Sequence, residues 1–267
     1  MTLLSSPSGS EHPTQSPSLD IGRLNEGSRA FLKEFRQVRT SCAPPDFPWY
    51  PWESLGNFEH LDRLLKDPHR DLARLIGGLP VADVGGADGD VSFFLERQGI
   101  EMDLVDYGPT NMNGLHGARF LKQALRSNIS IHEMDLDAKF EWPRNQYGLV
   151  FFLGILYHLK NPFYVLESLA KVTRHAFIST RVAQFSPSGE SIENLPVAYL
   201  VNPTECNNDP TNYWIFSGSG LARILDRAGW DVVAQMRNGN TTRSDPASAQ
   251  GDERAYLLVR SRRADIG

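Results

Sequence analysis

Between residues 58 and 260 the chain alternates short apolar runs with stretches whose apolar positions recur every three or four residues. Strands are predicted at "VADVGG", "EMDLVDY", "ISIHEMD", "GLVFFLG", "HAFISTRV", "WDVVAQM" and "RAYLLVR". Each is rich in β-branched and aromatic residues and too short for a helix. Helices are predicted at "FEHLDRLL", "DLARLIGGL", "VSFFLERQG", "GARFLKQALRS", "PFYVLESLAKVT" and "GLARILDRAG". The alternation implies an α/β, doubly wound, mainly parallel sheet of seven strands. The last two strands, joined by a polar loop, fit an antiparallel hairpin at one edge.

Upstream, Leu24, Phe31, Phe35 and Val38 recur at helical spacing, which predicts a helix over residues 21–39. "CAPPDFPWYPWESLG" follows; its prolines stop the helix, and its aromatic residues suit a packed arm or a lid over a pocket. Residues 1–20 are rich in Ser, Pro and Thr and read as a disordered tail. The expected division is a tail (1–20), helix and arm (21–57), main domain (58–261) and a short basic tail (262–267). Ala183 to Phe216 reads as a long irregular stretch.

Composition narrows the function classes. The net charge is −5, which supplies no general attraction to nucleic acid or to an anionic membrane. The two cysteines, Cys42 and Cys206, have no metal-ligand or CxxC spacing and suit free thiols in a reduced, cytoplasmic setting. The longest apolar run, Leu149 to Leu159, is too short to span a bilayer, and no signal peptide is expected. The acidic residues have no spacing that suggests a metal site.

"VADVGGADGD" joins the first strong strand to a helix, the place where open α/β sheets bind ligands. A dinucleotide fingerprint fails in both registers, because Ala87 and Asp90, or Asp88 and Val91, stand where glycines are needed. The pattern is instead Asp83-x-Gly85-x-Ala87-x-Gly89. Asp88 and Asp90 would repel a pyrophosphate but not a ligand with a positive centre. Asp106, twenty-three residues after Asp83, ends the second strand and can accept from both hydroxyls of a ribose.

This loop resembles the glycine-rich motif of class I S-adenosylmethionine (SAM)-dependent methyltransferases, which usually have Gly where Ala87 stands. The resemblance implies a Rossmann-like sheet. It also implies cofactor contacts at Asp83, Gly85, Gly86, Ala87, Asp106, Tyr107, Asp135, Leu136 and Leu153, with Asp135 serving the adenine amino group and Leu136 the ring. Asp135 is also placed to cap a turn. "LGILYHLKNPFYVLESLAKVTR" is similar to one branch of these enzymes, which includes the tRNA wobble-uridine 5-oxyacetic acid synthase family.

In that frame "GLVFFLG" is the fourth strand, and Tyr157 and His158 leave the sheet where the methyl group would be presented. Tyr157 suits a pocket wall, and His158 either a base or a core histidine bonded to a carbonyl. Transfer from a sulfonium is an in-line displacement, so a base is needed only if the nucleophile must lose a proton. Tyr213, Trp214 and Phe216 suit either the acceptor wall or plain packing of the loop on the sheet edge. Arg254 matches an arginine that the wobble-uridine family uses, with a tyrosine and a lysine, to hold a carboxylated SAM. The arm has no lysine or arginine at the corresponding place, which favours ordinary SAM. The reading is therefore methyl transfer from SAM to oxygen or nitrogen of a small-molecule acceptor. The alternatives are a tRNA wobble-uridine transferase and a non-catalytic SAM-binding module.

Overall fold

Residues 19–264 are described in the computed structural model. Of the expected tails, residues 1–18 and 265–267 lie outside that range, while Arg262 and Arg263 pair with Asp226, Asp231 and Glu167. The most apolar runs take the centre of the sheet, where both faces are covered. β1 (Val81–Val84) is buried throughout, and β4 (Tyr147–Leu153) is buried up to its last residue. β2 (Met102–Asp106) and β3 (Ser130–Glu133) extend the sheet beyond β1, and β5 (Thr173–Ala183) lies beyond β4, all parallel. The two last runs, β8 (Trp230–Gly239) and β9 (Glu253–Ser261), form the expected antiparallel hairpin. β9 sits between β5 and β8, with Phe177 opposite Leu258.

The seven expected strands are all present, but among the described residues the sheet has nine. β6 (Ala198–Leu200) and β7 (Trp214–Ser217) come from the stretch read as irregular. At three and four residues they are too short to show a period of two. Val182 pairs with Glu253 of β9 and with Phe216 of β7. A strand has two edges, so β7 must occupy the edge of β5 that β4 uses as far as Ser179. The β6–β7 hairpin therefore stands beyond the carboxyl end of β4.

Helices cover both faces. α1 (Ile21–Cys42) starts on Asp20, whose carboxylate accepts from Gly22 N and Arg23 N. Its Phe31 and Phe35 pack with Phe94 and Phe93 of α4 (Asp90–Arg97), at ring separations of 5.5 and 6.0 Å. Each such ring contributes roughly 1.5–3 kcal/mol of burial. α2 (Asn57–Leu64), α3 (Leu72–Ile76) and α5 (His116–Leu125) follow α1 in the chain and bury Phe58, Leu61, Leu72, Leu75, Ala118 and Leu121 in the same cluster as α1 and α4. α3 is shorter than the run "DLARLIGGL" suggested, because Gly77 takes a left-handed conformation and ends it. α6 (Pro162–Val172) and α7 (Gly218–Ala228) bury Val165, Leu166, Leu169, Leu221 and Leu225 against the other face. Both cysteines are free. Among the described residues no helix is long and apolar enough to cross a membrane.

Candidate functional site

β1 runs directly into the glycine-rich loop. Gly85 has a φ of +72°, and a Cβ there would lie 2.6 Å from Ile155 Cδ1. A Cβ on Gly86 would lie 2.7 Å from Asp83 Oδ2. The backbone thus approaches its surroundings closely at both positions, and any side chain would collide. Ala87 also takes a left-handed conformation, with φ of 51°. Its N–H donates to Asp106 Oδ2 at 2.8 Å, which anchors the loop to the end of β2.

Two further donors converge on Asp106. Tyr107 N and Asn111 Nδ2 donate to the Asp106 carboxylate at 2.7 and 3.2 Å. Burial pushes the Asp106 carboxyl up, and these donors oppose it. Asp83 is buried and accepts from Ser92 Oγ at 2.9 Å. Burial, aided by the charges of Asp90 and Asp106 and opposed by Ser92, pushes Asp83 up to about 7. A group of buried carboxylates around this loop suits a cationic ligand bearing hydroxyls.

Asp88 and Asp90 require a correction to the sequence reading. They do not present free charge to a ligand. Arg39 of α1 contacts Asp90 Oδ1 at 2.6 Å and Asp88 Oδ2 at 3.4 Å. Tyr50 N and Asn113 Nδ2 each donate to Asp88 at 2.7 Å. These carboxylates fasten the N-terminal helix and arm to the loop. Nothing in the spacing of Arg39, Tyr50, Asn111 or Asn113 identifies them in the sequence.

Asp135 accepts from Asp137 N at 2.9 Å and so caps its own turn, leaving its second oxygen for other partners. Asp137 accepts from Lys160 N and Asn161 N at 2.8 and 3.1 Å, which ties the end of β3 to the start of α6. Leu136 is buried in the core beside α6, and Leu153 is half-buried at the end of β4.

Beyond β4 the chain makes a single 3-10 turn, Leu156–His158. There the expected acceptor-side residues come together. Arg254 Nη1 donates to the Tyr157 hydroxyl at 3.2 Å, with the guanidinium 5.6 Å from the ring centre. Tyr213 N donates to Tyr157 O at 2.8 Å, and Trp214 Nε1 to Lys160 O at 3.2 Å. His158 Nδ1 lies 3.1 Å from Thr211 O and 2.9 Å from Thr211 Oγ1. Thr211 Oγ1 donates its proton to Asp209 Oδ1 at 2.6 Å, so Nδ1 carries the imidazole proton and Nε2 the lone pair. Burial pulls His158 below the usual histidine range, against the opposing charge of Asp209 and the Thr211 carbonyl. Tyr50 reaches the same space from the arm. Burial and then the Tyr157 phenol push it up to about 12, with Asp106 and Asp90 adding to the effect and Arg254 opposing it.

The chain's methyltransferase character is supported by comparison as well. The N-terminal domain of EvdMO1, solved with S-adenosylhomocysteine bound, is 18% identical over 88% of this chain and 97% of its own, with a TM-score of 0.55. A SAM-dependent methyltransferase from Mesorhizobium loti is 14% identical over 76% of this chain and 97% of its own, with a TM-score of 0.50. The [4+2]-cyclase SpnF is 11% identical over 92% of this chain and 98% of its own, with a TM-score of 0.51. At such identities the likeness is one of fold. No curated protein is detectably similar in sequence. The methyltransferase-domain family matches residues 57–235, well over half of the chain, and so includes both the glycine-rich loop and the Tyr157–His158 turn. On that match, the protein belongs to the methyltransferase-domain family and is a SAM-dependent methyltransferase.

Proposed function

We propose that the protein transfers a methyl group from SAM to an oxygen or nitrogen of a small-molecule acceptor. The observation that carries this reading is the meeting of two sets of groups at neighbouring strand ends. Gly85, Gly86, Ala87 and Asp106 lie at the ends of β1 and β2, while Tyr157, His158 and Arg254 gather beyond β4. The bound S-adenosylhomocysteine named for EvdMO1, on a sheet of similar shape, supports placing the cofactor at the first set. The loop suits it, since Gly85 and Gly86 leave no room for side chains and the surrounding carboxylates favour a cation.

SAM supplies an electrophilic methyl group on a sulfonium. In this reading Asp106 would hold the ribose, and the glycine-rich loop and Asp83 would orient the amino-acid end. Tyr157 and Arg254 hold the acceptor in line, which supplies most of the rate benefit. His158 Nε2, unprotonated at neutral pH because burial lowers its pKa, accepts the proton of an acceptor hydroxyl or amine. Tyr50 on the arm and Tyr213 and Trp214 near the β6–β7 hairpin exclude water from that space. A net charge of −5 favours a small acceptor over a polyanion. The test is transfer of labelled methyl from SAM in parallel incubations with a small-molecule extract and with bulk tRNA. Label in low-mass products is expected. Label in tRNA alone would replace the reading with the wobble-uridine alternative, and cofactor binding without transfer to either would favour a binding module.

A further inference from the structure

Arg39 sits in the last turn of α1, outside every segment that reads as cofactor-binding. Its side chain is only 13% exposed and bridges two buried carboxylates, Asp88 and Asp90. It is held in place by rings on both sides, 5.0 Å from the Phe35 centre and 5.2 Å from that of Trp49. Asp88 is a junction. Besides Arg39 it accepts from Tyr50 N on the arm and from Asn113 Nδ2. Asn113 N donates to Asn111 Oδ1 at 3.1 Å, and Asn111 Nδ2 donates to Asp106 Oδ2 at 3.2 Å and to Ala87 O at 3.4 Å. One connected hydrogen-bond path therefore runs from α1 to the carboxylate assigned to the ribose.

Asp88 has little freedom to adjust. A Cβ built on Gly117 would lie 2.3 Å from its Oδ1. With the guanidinium removed, two buried carboxylates would face each other without a counter-charge. They would take up a proton or move apart, and Asn113, Asn111 and Tyr50 would lose their common anchor. We propose that Arg39 is a positioning residue for the cofactor: through Asp88, Asn113 and Asn111 it fixes Asp106 and the Ala87 end of the loop, and through the same Asp88 it holds Tyr50 against the site. This inference rests on the assignment of Asp106 to the cofactor. It makes the N-terminal helix a working part of the binding site.

The experiment is a double-mutant cycle read by calorimetric binding of S-adenosylhomocysteine, with ligand-free melting to confirm that each variant folds. Arg39→Ala is expected to weaken binding about tenfold, and Arg39→Lys to recover only part of the loss, since it restores the charge but not the fork that bridges both carboxylates. Arg36→Ala, on the same helix, removes an exposed pair with Glu53 of the arm, serves as the control and stays within about twofold of wild type. In an Asp106→Asn background Arg39→Ala loses most of its effect, because both changes act on one path. Arg39→Gln replaces the alanine variant in the cycle if the latter does not fold. An unchanged affinity in Arg39→Ala, or a loss of equal size with and without Asp106→Asn, overturns the inference while leaving the function intact. A wild-type chain that binds neither S-adenosylhomocysteine nor SAM overturns both.

Discussion

Tyr157 and Arg254 are 97 residues apart in the chain, yet Arg254 Nη1 donates to the Tyr157 hydroxyl at 3.2 Å. The contact joins the turn after β4 to the start of β9, two elements that are not neighbours in the sheet. Among the described residues Arg254 also contacts Asp252 Oδ2, at 3.4 Å. A guanidinium has five donors, so these two contacts leave donors for a further partner.

That arrangement separates turnover from cofactor binding. Arg254→Ala and Tyr157→Phe should lower the methyl-transfer rate by about one to two decades, the range for hydrogen bonds to a charged group. S-adenosylhomocysteine affinity should move less than about threefold, since neither residue touches the loop. Steady-state rates with the identified acceptor, alongside calorimetry, check this. Equal losses in both quantities would move Arg254 and Tyr157 to the cofactor.

Asp106 behaves in the opposite way. It joins Ala87 N, Tyr107 N and Asn111 Nδ2, so its removal loosens the loop as well as any ribose contact. Asp106→Ala should weaken S-adenosylhomocysteine by at least about tenfold, with hydrogen bonds to a carboxylate contributing roughly 1.5–3 kcal/mol each. Calorimetry that shows unchanged affinity would remove the ribose assignment.

Asp83 gives a prediction in pH. Its folded pKa, raised to about 7, lies above the unfolded value near 3.8. Between those values the folded chain holds a proton that the unfolded chain releases. The stabilising contribution of the protonated carboxyl is complete below about pH 4 and is lost as pH rises through 7. Asp83→Asn removes the titration and keeps an oxygen for Ser92. The variant should therefore gain melting temperature relative to wild type as ligand-free samples go from pH 5 to pH 8. A difference that stays constant across that range would show that Asp83 is already ionised in the fold.

Much of this site could be read before the fold was known, and the reason is local. The Asp83–Gly89 loop, Asp106 and the Tyr157–His158 turn each sit where an apolar run ends, and a strand end fixes position by itself. Arg39 and Tyr50 reach the site from segments outside the alternating pattern, and only tertiary packing of α1 brings them there. Asp88 and Asp90 were legible as charges but not as paired charges, since their partner lies about fifty residues upstream in the chain. β6 and β7 escaped notice because a strand of three or four residues owes its existence to the edge it pairs with, not to its own periodicity.

The choice of cofactor follows from the charges that reach the acceptor side. A carboxylated SAM would bring an extra carboxylate next to Tyr157. The wobble-uridine family meets that group with an arginine, a tyrosine and a lysine. Here Arg254 and Tyr157 are present and in contact. The arm contributes Tyr50, whose phenol is pushed up to about 12 and is therefore neutral at physiological pH. A neutral hydroxyl offers one donor and no charge, whereas a charge-assisted bond contributes about 1.5–3 kcal/mol. Nearby Asp106 adds to the electrostatic penalty for a second anion. Ordinary SAM should therefore bind more tightly than its carboxylated form, by roughly one to two decades, and the transferred group should be methyl. Direct competition between the two cofactors, with mass spectrometry of the ligand that copurifies, checks this. Tyr50→Lys supplies the missing cation and should narrow the gap. Preference of the wild type for the carboxylated cofactor would reverse the argument and move tRNA to first place among acceptors.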